Sequence, residues 1–138
     1  MINTFDMQDL RYINLFSKIT GVSTRYFFMY NNTLIFCVPK SLVSKALGEN
    51  ASNLRKMSEI LSKRIRVLAQ PESIKDAKLF VQLLINPITF NTFEIKNDKI
   101  VISAGRINKS ALIGREKHKL NEMKKIIYVF FKKDFEIV

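Results

Sequence analysis

Gly48 and Gly114 each follow an apolar residue and precede a short polar stretch that leads into a segment with helical spacing. The two stretches read Ala46-Leu-Gly-Glu-Asn-Ala-Ser-Asn-Leu54 and Leu112-Ile-Gly-Arg-Glu-Lys-His-Lys-Leu120. Glycine lets a chain turn sharply and lets another backbone approach closely. The first amides of a helix are unpaired and lie at the positive end of its dipole, which favours phosphate. Both turns are therefore predicted to contact a sugar–phosphate backbone.

The charge of the chain supports a polyanionic ligand. It has 23 Lys and Arg against 12 Asp and Glu, which gives a net charge of +11 and a pI near 9.9. A protein that neutralises phosphates gains affinity from the counterions that it releases. Charge alone does not distinguish RNA from DNA or from an acidic membrane surface.

The cations are more numerous around the second turn than around the first. We therefore expect the second turn to supply more phosphate contact, mainly through Arg115 and Lys117 and the neighbouring helix amides. The alternative is a solvated helix face, which is how most lysine clusters behave. The candidate contact residues are, at the first turn, Lys45, Gly48, Glu49, Asn50, Ala51 and Arg55, and, at the second turn, Arg106, Lys109, Gly114, Arg115, Glu116 and Lys117.

Apolar residues flank both glycines and are expected to form the floor of each site, although ordinary core packing is the alternative. These floor residues are Leu47 and Leu54 in the first stretch, and Ile113 and Leu120 in the second. Further along each following helix, core positions are expected at Met57, Ile60, Met123 and Ile126.

The chain repeats itself with an offset of 66 residues, so that 7–70 aligns with 73–136 without a gap. Phe27 falls on Phe93, the pair Leu47-Gly48 falls on Ile113-Gly114, and Met57 falls on Met123. A repeat of this kind predicts two copies of one structural unit. We place the units at 1–70 and 71–138. The linker Gln70-Pro71-Glu72 has no flexible Gly/Ser tract, so the copies are expected to pack rigidly.

The apolar periodicity and the turn residues of each copy predict the element order αββααβ. In the first copy Gly21 is a plausible helix stop, and Asn31-Asn32 is a two-residue turn between strands. In the second copy Asn108 is expected to cap a short helix. The predicted elements are helices 7–20, 41–47 and 51–63 with strands 25–30, 33–38 and 65–68, then helices 74–85, 108–113 and 117–131 with strands 89–95, 99–103 and 135–138.

These stretches resemble the K homology (KH) signature Ile-Gly-x-x-Gly-x-x-Leu/Ile, which stands between two helices. Ala51 and Lys117 occupy the position of the second glycine of that signature. The αββααβ order resembles type II KH modules, which implies an α+β fold with a three-stranded mixed sheet covered by helices in each copy. The tandem arrangement, together with Leu10-Arg-Tyr-Ile-Asn-Leu-Phe16 before Thr20-Gly21, resembles the archaeal NusA-like transcription termination and antitermination proteins.

The resemblance implies binding of single-stranded RNA, with about four nucleotides held per module, and a role in transcription with RNA polymerase as a further partner. Two other interpretations stay open. One is a protein-interaction adaptor whose KH turns have lost RNA binding, and the other is a ribosome-associated KH protein that binds structured RNA.

Other classes of function find little support in the sequence. No nucleophile–base arrangement, phosphate loop or dinucleotide-binding glycine motif is evident, so we expect no enzyme and no small-molecule substrate. The single His118 and the single Cys37 give no zinc pattern, so we expect neither metal nor cofactor. Cys37 lies in an apolar run and is expected to be chemically inert. Without an apolar run of about 20 residues, the chain is expected to be cytoplasmic, with no membrane partner.

Overall fold

The computed structural model describes residues 6–138, which form two compact units that divide between Gln70 and Pro71. Each unit has the element order αββααβ, as the repeat predicts. Rigid packing of the two copies stays a prediction. The first unit consists of α1 (Met7–Thr20), β1 (Tyr26–Tyr30), β2 (Thr33–Val38), α2 (Val43–Leu47), α3 (Ser52–Leu61) and β3 (Arg64–Ala69). The second consists of α4 (Ala77–Ile85), β4 (Thr92–Lys96), β5 (Lys99–Ser103), α5 (Arg106–Ile113), α6 (His118–Phe131) and β6 (Asp134–Ile137).

Each unit contains a three-stranded mixed sheet, so the fold class is α+β as predicted. In the first sheet, β2 is central: it pairs antiparallel with β1 and parallel with β3. In the second sheet, β5 is central, antiparallel to β4 and parallel to β6. The two helices between the second and third strands supply the long crossover that a parallel pair requires. The glycine turn lies within that crossover.

Aromatic packing joins α1 to the first sheet. The rings of Phe16 and Phe36 are stacked with centroids 4.3 Å apart, and the Phe27 ring lies 5.0 Å from that of Phe36. Met57 of α3 is fully buried in the same cluster. This core fixes α3 against the sheet and so fixes the start of α3, where the first turn ends.

The second unit buries the equivalent side of α6. Met123 and Ile126 are almost completely buried, as predicted. Phe80 of α4 contacts Phe130 with ring centroids 5.1 Å apart. The prediction for Ile60 was wrong, because this side chain is 55% exposed. Leu61, the next residue along α3, packs against the core instead.

Several element boundaries differ from those predicted. Helix α5 begins at Arg106 with Gly105 as its cap, so Asn108 does not cap it. The Asn108 side chain instead donates to the carbonyl oxygen of Thr89 at 3.3 Å. Residues 89–91 lie outside β4, which begins at Thr92. Gly21 does end α1, with φ of 72°. None of the helices formed by residues 6–138 is long and apolar enough to cross a bilayer.

Candidate nucleic-acid interface

Gly48 and Gly114 have almost the same backbone conformation. Their φ/ψ angles are 76°/173° and 74°/174°, a region that is essentially restricted to glycine. A Cβ atom at Gly48 would lie 2.9 Å from side-chain atoms of Ser52 and Asn53. At Gly114 it would lie 3.0 Å from Cγ of Lys119. Both the dihedral angles and the available space therefore require glycine at these two positions.

Each glycine is followed by a short 3-10 turn that contains two successive left-handed residues. In the first unit these are Asn50 (φ 54°, ψ 35°) and Ala51 (φ 58°, ψ 30°). In the second unit they are Glu116 (φ 54°, ψ 29°) and Lys117 (φ 61°, ψ 23°). Ala51 and Lys117 thus adopt, at the second glycine position of the KH signature, a conformation that glycine would adopt without cost.

Some of the backbone amides that the sequence predicts to be unpaired form hydrogen bonds inside the turns, so the prediction was wrong for these amides. The amide of Ala51 donates to Gly48 O at 3.1 Å, and the amide of Lys117 donates to Gly114 O at 3.2 Å. The next amides, which belong to Ser52 and His118, donate to carbonyl oxygens within the same turns. The 3-10 turn satisfies these donors because its bonds join residues three apart.

The donors that stay open lie earlier in the turns. At the two turns, the backbone amides of four residues have no hydrogen-bond partner among residues 6–138. They belong to Glu49, Asn50, Arg115 and Glu116. All four residues are exposed. Each turn therefore offers two successive amide donors to solvent or to a ligand.

The floor residues are neither core nor free surface. Leu47, Leu54, Ile113 and Leu120 are all half-buried, as are both glycines. They present partial apolar surface beside the exposed polar tip of each turn. This position is compatible with the groove floor that the sequence predicts.

The cations of the first turn lie close to other parts of the same unit. The guanidinium of Arg55 donates to the carbonyl oxygen of Asn50. Lys45 reaches the end of α1, where its Cε lies 3.6 Å from the position that a Cβ of Gly21 would occupy. A cation near a helix C-terminus is favourable because it faces the negative end of the dipole. Glu49 adds an exposed negative charge, so the first turn has little free positive charge.

The second turn keeps two exposed cations at its tip, Arg115 and Lys117, on either side of the exposed Glu116. Arg106 is the first residue of α5, and Gly114 follows the last, so the length of this helix, about 12 Å, separates them. Lys109 is half-buried in the middle of α5. The structure thus brings Arg115 and Lys117 together and leaves Arg106 at the other end of the helix.

Sequence reasoning missed one residue in each turn. The Asn53 side-chain amide donates to the carbonyl oxygens of Lys45 at 3.3 Å and Ala46 at 3.2 Å. The Lys119 ammonium donates to the carbonyl oxygen of Ala111 at 3.2 Å. The only signal in the sequence was the repeat offset, which aligns residue 53 with residue 119. The side chains themselves have different chemistry, so residue type gave no indication.

Two residues that could do other chemistry have ordinary surroundings. His118 lies 3.5 Å from Glu122 through Nε2 and Oε2, and its side chain is 75% exposed. Burial raises the pKa of the Cys37 thiol to about 12, and nearby Arg66 opposes this only in part. Residues 6–138 contain no group of three or more His, Cys, Asp or Glu side chains that could hold a metal ion.

The second unit contains a cavity whose lining includes none of the turn residues. It is lined by residues of α4 and of the loop that follows, among them Leu79, Leu83, Ile85 and Phe90. None of the candidate contact residues lines it. The exposed residues at the tips of the two turns suit contact with an extended polyanionic strand better than with a small molecule.

Comparison with known proteins gives a match in fold only. No protein-family model matches this chain, and no curated protein matches it significantly. Among the 16 solved chains that do match is one described as the crystal structure of APE1850. It is 24% identical, with a TM-score of 0.64, and the match covers 96% of this chain and 99% of that chain. The similarity extends over both units.

Proposed function

We propose that this chain binds single-stranded RNA as a tandem pair of type II KH modules. The element order, the two mixed sheets and the net charge of +11 support the proposal. The resemblance to archaeal NusA-like proteins extends it to a factor that acts in transcription termination or antitermination near RNA polymerase. In this proposal the nascent transcript is the ligand.

One observation carries the proposal more than any other. The two turns keep the same succession of unusual backbone angles, although Ala51 and Lys117 replace the second glycine of the signature. A left-handed conformation costs roughly 1–2 kcal/mol for a residue other than glycine. Its retention in both copies points to a use for the shape of the turn. A use in backbone binding fits the open amides and the exposed cations.

The geometry suggests how an RNA strand would be held. Phosphate oxygens would accept hydrogen bonds from the two unpaired amides of each turn. At the second turn, Arg115 and Lys117 would add charge-assisted contacts. The half-buried Ile113 and Leu120 would lie beneath the sugars or bases. The first turn would bind more weakly, because Arg55 is hydrogen-bonded within the protein and Glu49 adds a negative charge.

Fluorescence anisotropy with short unstructured RNAs at two salt concentrations tests RNA binding directly. We expect micromolar or tighter binding that weakens as salt rises, because counterion release drives it. Absence of binding even at low salt would instead favour the adaptor. Competition with duplex RNA addresses the ribosome-associated alternative: if duplex competes better than single strands, the ligand is structured RNA.

The role in transcription requires a separate measurement. Purified elongation complexes that carry a labelled nascent transcript would be incubated with the protein and then crosslinked. We expect crosslinks from RNA to the segment 114–120, together with a changed ratio of terminated to read-through product. RNA binding without any effect on this ratio would separate the RNA-binding proposal from the transcriptional one.

A further inference from the structure

We infer that Asn53 and Lys119 are positioning residues that fix the shape of the two RNA-binding turns. This inference rests on the proposed function, because it concerns the same site. Each residue lies five positions after the pivotal glycine and bonds back across it to the end of the preceding helix.

The acceptors are equivalent in the two units. Lys45 and Ala111 both lie three residues before the glycine, and the side chains of Asn53 and Lys119 reach their carbonyl oxygens at 3.3 Å and 3.2 Å. An amide and an ammonium thus make the same connection between the two helices of each module. The donor is retained while its chemistry differs, which indicates that the connection itself matters.

The same side chains also explain why the pivot must be glycine. Their inner atoms occupy the space that a Cβ would need, with Asn53 Cγ at 2.9 Å and Lys119 Cγ at 3.0 Å. A helix end has unpaired carbonyl groups, and a side-chain donor satisfies one of them. We call this side-chain hydrogen bond the clamp. It ties the end of the first helix to the first turn of the second helix and holds the intervening residues in the left-handed conformation.

This assignment gives the ammonium of Lys119 a positioning role instead of a direct contact with phosphate. Its ammonium is directed to Ala111 O, at the negative end of α5, and the residue is half-buried. A direct phosphate contact and a positioning role predict different salt dependences. Loss of one phosphate contact lowers the slope of log affinity against log salt by about 0.7 for a single strand. Loss of a clamp lowers affinity with the slope unchanged.

The first unit shows which substitution in the second unit should preserve the hydrogen bond and can serve as the control. Lys119→Met and Lys119→Asn both remove the charge, but only asparagine can donate to Ala111 O, as Asn53 does in the first unit. We expect Lys119→Met to weaken RNA binding roughly fivefold, the value of one hydrogen bond, and Lys119→Asn to recover most of that loss. The uncharged change Asn53→Leu should weaken binding with the salt slope of the wild type.

Two results would overturn the inference: equal affinities for Lys119→Met and the wild type, or equal losses in Lys119→Met and Lys119→Asn with a smaller salt slope in both. If the wild type bound no RNA, the proposed function would fail, and amide hydrogen exchange would still decide the clamp. The amide of Lys117, which bonds to Gly114 O, should exchange several-fold faster in Lys119→Met than in Lys119→Asn. Unchanged exchange would refute the clamp.

Discussion

Ala51 and Lys117 lie 66 positions apart and share one left-handed backbone conformation, with φ of 58° and 61°. Each is the residue that immediately precedes the long helix of its module. Neither side chain caps that helix. The relationship shows that the backbone of the turn is set by its surroundings rather than by the preference of the residue that occupies it.

Glycine at these positions should stabilise the protein. We expect Ala51→Gly to raise the free energy of unfolding by up to about 1 kcal/mol, because relief of the left-handed strain exceeds the added entropy of the unfolded chain. Urea unfolding measures the change. Ala46→Gly in helix α2, where the residue is buried, is the control and should destabilise. If Ala51→Gly also destabilised, the strain at this position would be absent.

Lys117→Gly should raise the stability of the protein while lowering its affinity for RNA. We expect the same relief of strain, together with weaker RNA binding because an exposed cation is lost at the tip of the turn. Unfolding and anisotropy are measured on the same preparation. Tighter RNA binding by this variant would mean that the bulk of Lys117 hinders the strand more than its charge attracts it.

Alanine at the pivots should be costly. Gly48→Ala and Gly114→Ala should each lower the free energy of unfolding by about 1–3 kcal/mol, because their backbone angles are nearly restricted to glycine and the new Cβ would meet Asn53 or Lys119. Gly105→Ala is the matched control: its φ is −63°, and no atom lies within 4 Å of the added carbon. A neutral result at both pivots would contradict the description of the turns.

Removal of the second-turn cations should reduce both affinity and salt dependence. Arg115→Ala with Lys117→Ala should lower the magnitude of the salt slope by up to about 1.4, which corresponds to two phosphate contacts on a single strand. The titration is anisotropy at several salt concentrations. A slope that does not move would exclude this turn as the contact.

The control for that variant removes the same charge elsewhere in the unit. Lys96 and Lys99 pair across the β4–β5 hairpin. The hairpin contacts the chain just beyond the C-terminal end of α6, where Lys133 Nζ donates to Asn97 O at 2.6 Å. The 14 residues of α6, about 21 Å long, separate this hairpin from the second turn. A hydrogen bond to Glu136 raises the pKa of Lys99, so the residue is charged at neutral pH. Lys96→Ala with Lys99→Ala should leave the salt slope nearly unchanged.

Cys37 should be unreactive in the native state. Its pKa is raised from the ordinary 9.0 to about 12 by burial, so at pH 8.5 the folded protein holds almost no thiolate, the reactive form. An aromatic disulfide reagent should react rapidly in urea and very slowly without it. Since the unfolded thiol ionises first as pH rises above 9, the wild type should lose stability there relative to Cys37→Ala. Fast labelling of the native protein at pH 8.5 would contradict this assignment.

Much of the architecture follows from local sequence. The repeat, the order αββααβ and the positions of the glycine pivots can be predicted because apolar periodicity and turn residues act over a few positions. The precise starts of α5 and β4 could not be predicted from the sequence. Asn108 resembles a helix cap, but its side chain bonds to Thr89 O, 19 residues earlier in the chain, and only the tertiary structure brings these two groups together.

The sequence by itself determined that two equivalent turns exist and that the second carries more positive charge. Tertiary structure decided which amides and cations at these turns are free. The 3-10 geometry pairs the amides of Ala51 and Lys117, Asn50 O holds Arg55, and Ala111 O holds Lys119. A hydrogen-bonding group is available to a ligand only if no nearer partner satisfies it, and the nearest partner depends on how the helices are placed in space.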